Sequence, residues 1–343
     1  MSNSDRFSLP AEWEMEGAVL MAWPHADTDW NYMLPEAIAC FRDVVTAISS
    51  YYKVILVTPD IESARIQLGP NCRIKPEFIP LKTNDTWARD FGPISVRSEN
   101  GNWTCLDFRF NGWGLKFASC FDNLICRGLK AVGTISAELA DRQDFVLEGG
   151  GIESDGSGTL MTTAACQLSP NRNPFLTELE IVDRLQSYFG APHTIMLRHG
   201  YLAGDDTDSH IDTLARFAPD RSIVFTGCQN PEDEHFAELN LMKQELAEAT
   251  SADGLPFNLF ELPLPSPIFD ENGQRLPATY ANFLVTPRAV FMPTYSQPMN
   301  DDLARRIVEV AYNRPVVTVD CRQLIRQHGS LHCITMQLPS QVL

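Results

Sequence analysis

Residues 204–212, Gly-Asp-Asp-Thr-Asp-Ser-His-Ile-Asp, place four carboxylates and one imidazole within nine positions. If a strand starts at Ser209, His210 and Asp212 lie two apart and leave the same face. A titratable base and a fixed anion then point into one space, as general acid–base chemistry requires. A solvated acidic loop followed by a strand with a core histidine would carry the same letters. The pair therefore takes its meaning from the other segments that can join it.

Three such segments stand out. Trp87-Ala88-Arg89-Asp90-Phe91-Gly92-Pro93 reads as a shaped loop rather than a helix, with a surface Arg89–Asp90 pair as the plainer interpretation. Glu148-Gly149-Gly150-Gly151 ends an apolar strand in a carboxylate and three glycines, which permit close backbone approach. It lacks the Lys and Ser/Thr of a phosphate-cradling P-loop, and a glutamate would repel an anion. Gly329-Ser330-Leu331-His332-Cys333-Ile334-Thr335 sets a cysteine after a glycine-containing loop, the pattern of a thiol nucleophile served by a histidine from elsewhere. Any one of the nine cysteines, taken alone, is as well explained as a small buried apolar residue.

The elements that must position these groups follow a repeating order. Pro35 opens a helix with Ile38, Phe41, Val45 and Ile48 at helical spacing, followed by a strand at 53–57. The same order recurs as helix 124–139 with strand 145–147, and helix 176–189 with strand 194–197. Helix 233–249 with strand 257–262 and helix 301–312 with strand 316–320 complete the series. Further strand-like runs at 18–23, 104–108, 160–163, 222–226, 281–285 and 290–292 lie between them. Five evenly spread helix–strand units without a linker predict one domain, residues 1–343, built of structural repeats. No Gly-x-Gly-x-x-Gly follows a strand, which speaks against a doubly wound nucleotide fold.

Across the whole chain, 343 residues with 44% hydrophobic and 21% charged side chains describe an ordinary globular protein. A formal charge of -17 argues against nucleic acid or an anionic membrane as partner and suits a small cationic ligand. Scattered cysteines without Cys-x-x-Cys pairs and a start without a basic leader point to a reduced, cytoplasmic protein. No apolar run approaches the roughly 20 residues of a membrane span.

Taken together, the segments match a known family. The chain resembles the agmatine deiminases and the related bacterial peptidylarginine deiminases of the guanidino-group-modifying (pentein) superfamily. The resemblance runs nearly end to end. It includes Trp13, Trp23-Pro24-His25, the Trp87–Pro93 segment, Glu148-Gly149-Gly150, Asp155-Gly156 with Gly158-Thr159-Leu160, Asn171-Arg172-Asn173-Pro174, His210-Ile211-Asp212 and His332-Cys333-Ile334-Thr335. One departure is the loop before the nucleophile, where His328-Gly329-Ser330 replaces a run of glycines and Met336-Gln337 replaces a Gln pair.

The resemblance implies a five-bladed α/β propeller with its site on the central axis. It also implies that Cys333 attacks the guanidinium carbon and His210 is the general acid–base. Asp90 and Asp212 would bind the guanidinium, Trp87 would contact substrate, and Glu148 would complete the polar core. Two carboxylates suit a planar, fork-shaped cation, and a bound cation lowers a thiol pKa from its reference of about 8.5. Water and substrate suffice, with neither metal nor redox cofactor. Agmatine is the expected substrate, giving N-carbamoylputrescine and ammonia. Asp205, Asp206 and Asp208 offer anions to its amine, with Asp206 the chosen contact. Deimination of free or peptidyl arginine is the alternative, with Arg89, Arg172 or Arg198 available to a carboxylate, and a non-catalytic guanidino-compound binder is a third reading. Homo-oligomer formation is left open.

Overall fold

The computed structural model describes residues 7–343. Its strands form five separate sheets, and all five share one plan. Two antiparallel strands are followed by a helix, which returns the chain to a third strand parallel to the second. In one unit these are Ile94–Ser98, Trp103–Arg109, helix Ile125–Ala131 and Glu138–Val146. The next three are Ile152–Ser154, Thr159–Thr163, Glu178–Phe189 and His193–Leu197; Ala215–Ala218, Ser222–Thr226, Phe236–Glu248 and Asn258–Leu262; and Leu284–Val285, Val290–Thr294, Pro298–Tyr312 and Val316–Asp320.

The fifth unit joins the two ends of the chain. Met336–Pro339 pairs antiparallel with Gly17–Ala22, in register Met336↔Leu20, before helix Leu34–Ser49 and strand Lys53–Thr58. The five-unit propeller expected from the sequence is thus the observed architecture, with a hairpin added ahead of every helix–strand step.

Local chemistry explains the elements. Leu34–Ser49 has proline in its first turn and buries Ala37, Phe41, Val44, Val45 and Ile48 along one stripe. Glu178–Phe189 opens on a reciprocal capping box between Thr177 and Glu180. It ends at Gly190 in the left-handed region (φ 60°), where a Cβ would lie 1.5 Å from the Phe7 carbonyl oxygen, so only glycine fits.

Two expected elements differ. The helix over 124–139 stops at Ala131, because Gly133 turns the chain at φ +81° and residues 138–146 form a strand instead. That strand lies at the sheet's edge and is mostly solvated along Glu138–Asp144, so it lacks the apolar signature of a buried strand. In the 281–285 run only Leu284–Val285 pairs as a strand, which leaves Asn282 on an irregular approach to it.

Candidate active site

The first strand of every unit is preceded by a short irregular segment, and the chemistry-bearing side chains sit on those segments. Asp90 precedes the strand at Ile94, Glu148 the strand at Ile152, and His210 and Asp212 the strand at Ala215. Asn282 precedes the strand at Leu284, and Cys333 the strand at Met336. Pseudo-symmetry therefore delivers one group or pair from each of five units to a common centre. His210 and Asp212 are fully buried and Cys333 is 5% exposed.

The segment at 209–212 is not a strand. Asp208 and Ser209 are in the left-handed region (φ 65° and 63°), and Ile211–Thr213 makes a single 3-10 turn. The two side chains reach one space nevertheless. A Cβ on Gly150 would lie 2.7 Å from His210 Nδ1, 2.8 Å from Asp90 Oδ1 and 3.0 Å from Asp212 Oδ2. Gly150 has ordinary φ, so its glycine is required by this crowding and not by a turn. His210 Nδ1 and Asp212 Oδ1 are both buried and have no hydrogen-bond partner among the described residues. In folded proteins such atoms are rarely left unpaired, and these two belong to the same centre.

The Trp87–Pro93 segment contains one helical turn, Ala88–Phe91, and its charges separate instead of pairing. Asp90 turns inward, accepting from Gly150 N (2.9 Å) and Trp113 Nε1 (2.8 Å). Arg89 turns the other way and is buried against Glu12 (3.3 Å) and Gln337 (2.5 Å). The plainer interpretation, a surface Arg89–Asp90 pair, does not hold, because both residues are buried and each finds a partner in another unit.

Around Cys333, Asn282 Nδ2 donates to Sγ (3.2 Å) and the Asp212 carboxylate lies 3.8 Å away. Asn282 also accepts from the backbone N–H of His332 (2.9 Å) and Cys333 (3.3 Å), which fixes the nucleophile's loop. Burial pushes the Cys333 thiol well above its usual range, and the Asp212 and Asp90 anions push it further. Burial opposes a charge on His210, but Asp90, Cys166 and Glu148 prevail and hold the imidazole well above its ordinary value. Burial also opposes charge on Glu148, where the Arg172 guanidinium (2.7 Å) more than offsets it and keeps the carboxyl low. Removing one partner of such a buried pair leaves an uncompensated charge, at a cost of about 3–5 kcal/mol.

Over Cys333 opens a pocket with about 370 Å³ of empty space. Asp29, Asp85, Asp90 and Asp206 line it beside Trp87 and Trp113, with no lysine or arginine among its described lining residues. Burial raises Asp85 to about 7 and Asp206 to about 6. Of the three aspartates expected to face an amine, only Asp206 lines this pocket. Asp205 accepts from Thr207 and Ser209 within its own loop, and Asp208 pairs with Arg172 (2.6 Å) and Lys116 (2.7 Å). Trp87 is held by packing. Trp30, fully buried, lies 5.8 Å from it ring to ring, and on the other side a Cβ on Gly329 would come within 2.2 Å of the Trp87 ring. Position 329 must therefore be glycine, because the indole occupies its side-chain volume.

Asp90, Glu148, His210, Asp212 and Cys333 are all brought together, and Trp87 and Asp206 line the pocket above them. Asn282 and Trp113 join them without having been assigned a place from sequence, and Arg172, read from sequence as available to a substrate carboxylate, is instead taken by Glu148 and Asp208. A polar Asn282 inside an otherwise apolar run was the one available signal. Two clusters have donor sets that could hold a metal, Glu148–Cys166–His210 and Glu12–Glu153–His332. In each the carboxylates already answer a buried guanidinium, Arg172 in the first and Arg216 in the second.

Asp90→Asn should move the alkaline limb of the kcat–pH profile to lower pH. Asp90 is the chief charge raising His210, so without it the imidazolium loses its proton at lower pH. An unmoved limb would show that Asp90 does not hold that proton.

No helix among the described residues is long and apolar enough to cross a membrane. Residues 8–339 match the Porphyromonas-type peptidyl-arginine deiminase family. A "putative agmatine deiminase" of Mycoplasma capricolum is 32% identical over 98% of this chain and 96% of its own length. Among solved structures, the "putative arginine deiminase" from Porphyromonas gingivalis is 45% identical, with a TM-score of 0.92 over 98% of this chain and 99% of that one. A cysteine-to-serine variant of the C. jejuni agmatine deiminase with substrate bound is 37% identical, with a TM-score of 0.91 over 98% and 97%. With its five α/β units and a central cysteine, histidine and paired aspartates, the chain belongs to the Porphyromonas-type peptidyl-arginine deiminase family, within the guanidino-group-modifying pentein superfamily.

Proposed function

We propose that the protein is an agmatine deiminase, a cysteine hydrolase that converts agmatine and water to N-carbamoylputrescine and ammonia, with the whole chain acting as one catalytic domain. The observation that carries the substrate choice is the pocket above Cys333, lined by four aspartates and by no described lysine or arginine. Agmatine is cationic at both ends, whereas arginine would bring a carboxylate among anions in a partly desolvated cleft. The arginines available to such a carboxylate are committed elsewhere. Arg89 pairs with Glu12, Arg172 with Glu148 and Asp208, and Arg198 with Glu178.

In this reading Asp90 and Asp212 grip the guanidinium, and its entry favours loss of the Cys333 proton by bringing positive charge beside a thiol that two carboxylates otherwise hold protonated. The thiol proton leaves to solvent, and the thiolate adds to the guanidinium carbon. His210, protonated, gives its proton to the departing nitrogen, and ammonia leaves a thiouronium on Cys333. His210, now neutral, takes a proton from water and is imidazolium again. The hydroxide adds to the carbon, the C–S bond breaks as the new hydroxyl gives its proton to solvent, where ammonia becomes ammonium, and the thiolate returns as the neutral ureido product departs. Glu148 orients His210 (3.4 Å) and is itself oriented by Arg172. Trp87 and Trp113 flank the substrate chain, and Asp206 meets its amine.

The test is purified protein supplied with agmatine, free arginine and peptides with C-terminal arginine, with ammonia and ureido product measured. Agmatine is expected to win by at least about a hundredfold in kcat/KM, on the order of 2.7 kcal/mol. KM for agmatine should rise as pH falls from 7 toward 5, because Asp85 and Asp206 then gain protons and lose the charge that binds the amine. Comparable rates on arginine or its peptides would assign the protein to the citrulline-forming branch. Binding of agmatine without turnover would make it a guanidino-compound binder.

A further inference from the structure

Beneath the site, on the side away from the pocket, His332 is held between two carboxylates. Its Nδ1 lies 2.7 Å from Asp212 Oδ2 and its Nε2 lies 2.7 Å from Glu12 Oε1, and the ring and both carboxylates are buried or nearly so. A carboxylate only accepts, so the short contact to Asp212 requires a proton on Nδ1. Nε2 lies between Glu12 Oε1 and Arg216 Nη2, which is in position to donate to it at 3.1 Å and also pairs with Glu12 Oε2 (3.0 Å).

The other charged groups around His332 are Glu153 and Arg89, which pair with Arg216 and Glu12 respectively, and the protonated His210 on the far side of Asp212.

We propose that His332 and Glu12 are positioning residues, a strut that locks one oxygen of Asp212, so that its other oxygen is reserved for the guanidinium. Three observations support this. Asp212 Oδ2 is taken by His332, whereas Oδ1 is buried without a partner. Asp212 is fully buried, yet the His332 hydrogen bond, with the His332, His210 and Arg216 charges behind it, overrides burial and holds its pKa low. Glu12 is 320 residues from His332 in sequence and comes from the turn ahead of Gly17–Ala22, the second strand of the closing unit. The strut therefore ties the chain's beginning to the nucleophile's loop, and the geometry of Asp212 depends on closure of the ring of units.

This rests on the reading of Asp212 as a guanidinium ligand, and the experiment separates the two. Histidine labelled with nitrogen-15 in the whole protein should show a hydrogen-bonded proton on Nδ1 of His332, with assignment by the missing signal in His332→Asn. This arm needs no substrate. Kinetics with agmatine form the second arm. His332→Leu should lower kcat/KM by about a hundredfold, mostly through KM, and move the acid limb of the profile to higher pH as Asp212 becomes easier to protonate. His332→Asn keeps an N–H toward Asp212 and should recover about tenfold of that loss, and Glu12→Gln should shift the acid limb in the same direction by less. A His332 ring without a proton on Nδ1, or a folded His332→Leu with the wild-type acid limb, overturns the strut. Wild-type protein inert toward every guanidino compound would overturn the deiminase reading while the nitrogen-15 result still decides the strut.

Discussion

Cys333→Ala is expected to lower turnover by on the order of 10⁴ or more, because a covalent step with no nucleophile has no substitute in the site. Asn282 and Asp212, the groups nearest Sγ, cannot replace it, since one is an amide and the other is engaged by His332. The fold should survive, since alanine fills most of the volume and the loop's backbone bonds to Asn282 remain. Agmatine binding to the inactive variant, measured by calorimetry, should persist because Asp90 and Asp212 are unchanged. The control is a buried cysteine elsewhere. Cys105, against Ser95 (3.8 Å), and Cys321, beside Cys40, can be changed to alanine with some loss of stability and little loss of rate. A Cys333→Ala protein with near wild-type turnover would end the covalent mechanism.

The second large effect is expected from adding one methyl group. In Gly150→Ala the new carbon falls within 3.0 Å of His210 Nδ1, Asp90 Oδ1 and Asp212 Oδ2 together. Each of these atoms is buried, and Gly150 N itself donates to Asp90, so relief of the clash displaces the groups that the substrate must meet. Displacing reacting groups by about 1 Å costs on the order of a hundredfold, and a loss of kcat/KM of at least that size is expected. Gly151→Ala is the graded comparison. Its Cβ would meet Cys166 and Gln167 at 3.3 and 3.4 Å and His210 only at 3.8 Å, so a much smaller loss should follow. Parallel thermal melts separate a filled site from a weakened fold. Equal rates for Gly150→Ala and wild type would show that the substrate does not occupy the space between the two aspartates.

Much of this was legible in the chain itself. Each helix of a repeating unit carries its own apolar residues at helical spacing, so the number of units and the class of fold could be read without any contact between them. Asp90, Glu148, His210, Asp212 and Cys333 stand in short segments whose residue types announce chemistry, and all five lie just ahead of a strand. What could not be read is how those segments meet. Whether His210 and Asp212 share a face was settled by two left-handed residues and a 3-10 turn, and not by strand alternation. That Arg89 leaves Asp90 for Glu12, that Asp208 serves Arg172 and only Asp206 the pocket, and that Asn282 holds the thiol were decided by neighbours contributed from other units. An ionic side chain has many partners of suitable charge along a sequence, and burial selects among them by position in space. The five sheets and closure of their ring, brought about when Met336–Pro339 pairs with Gly17–Ala22, supply that position.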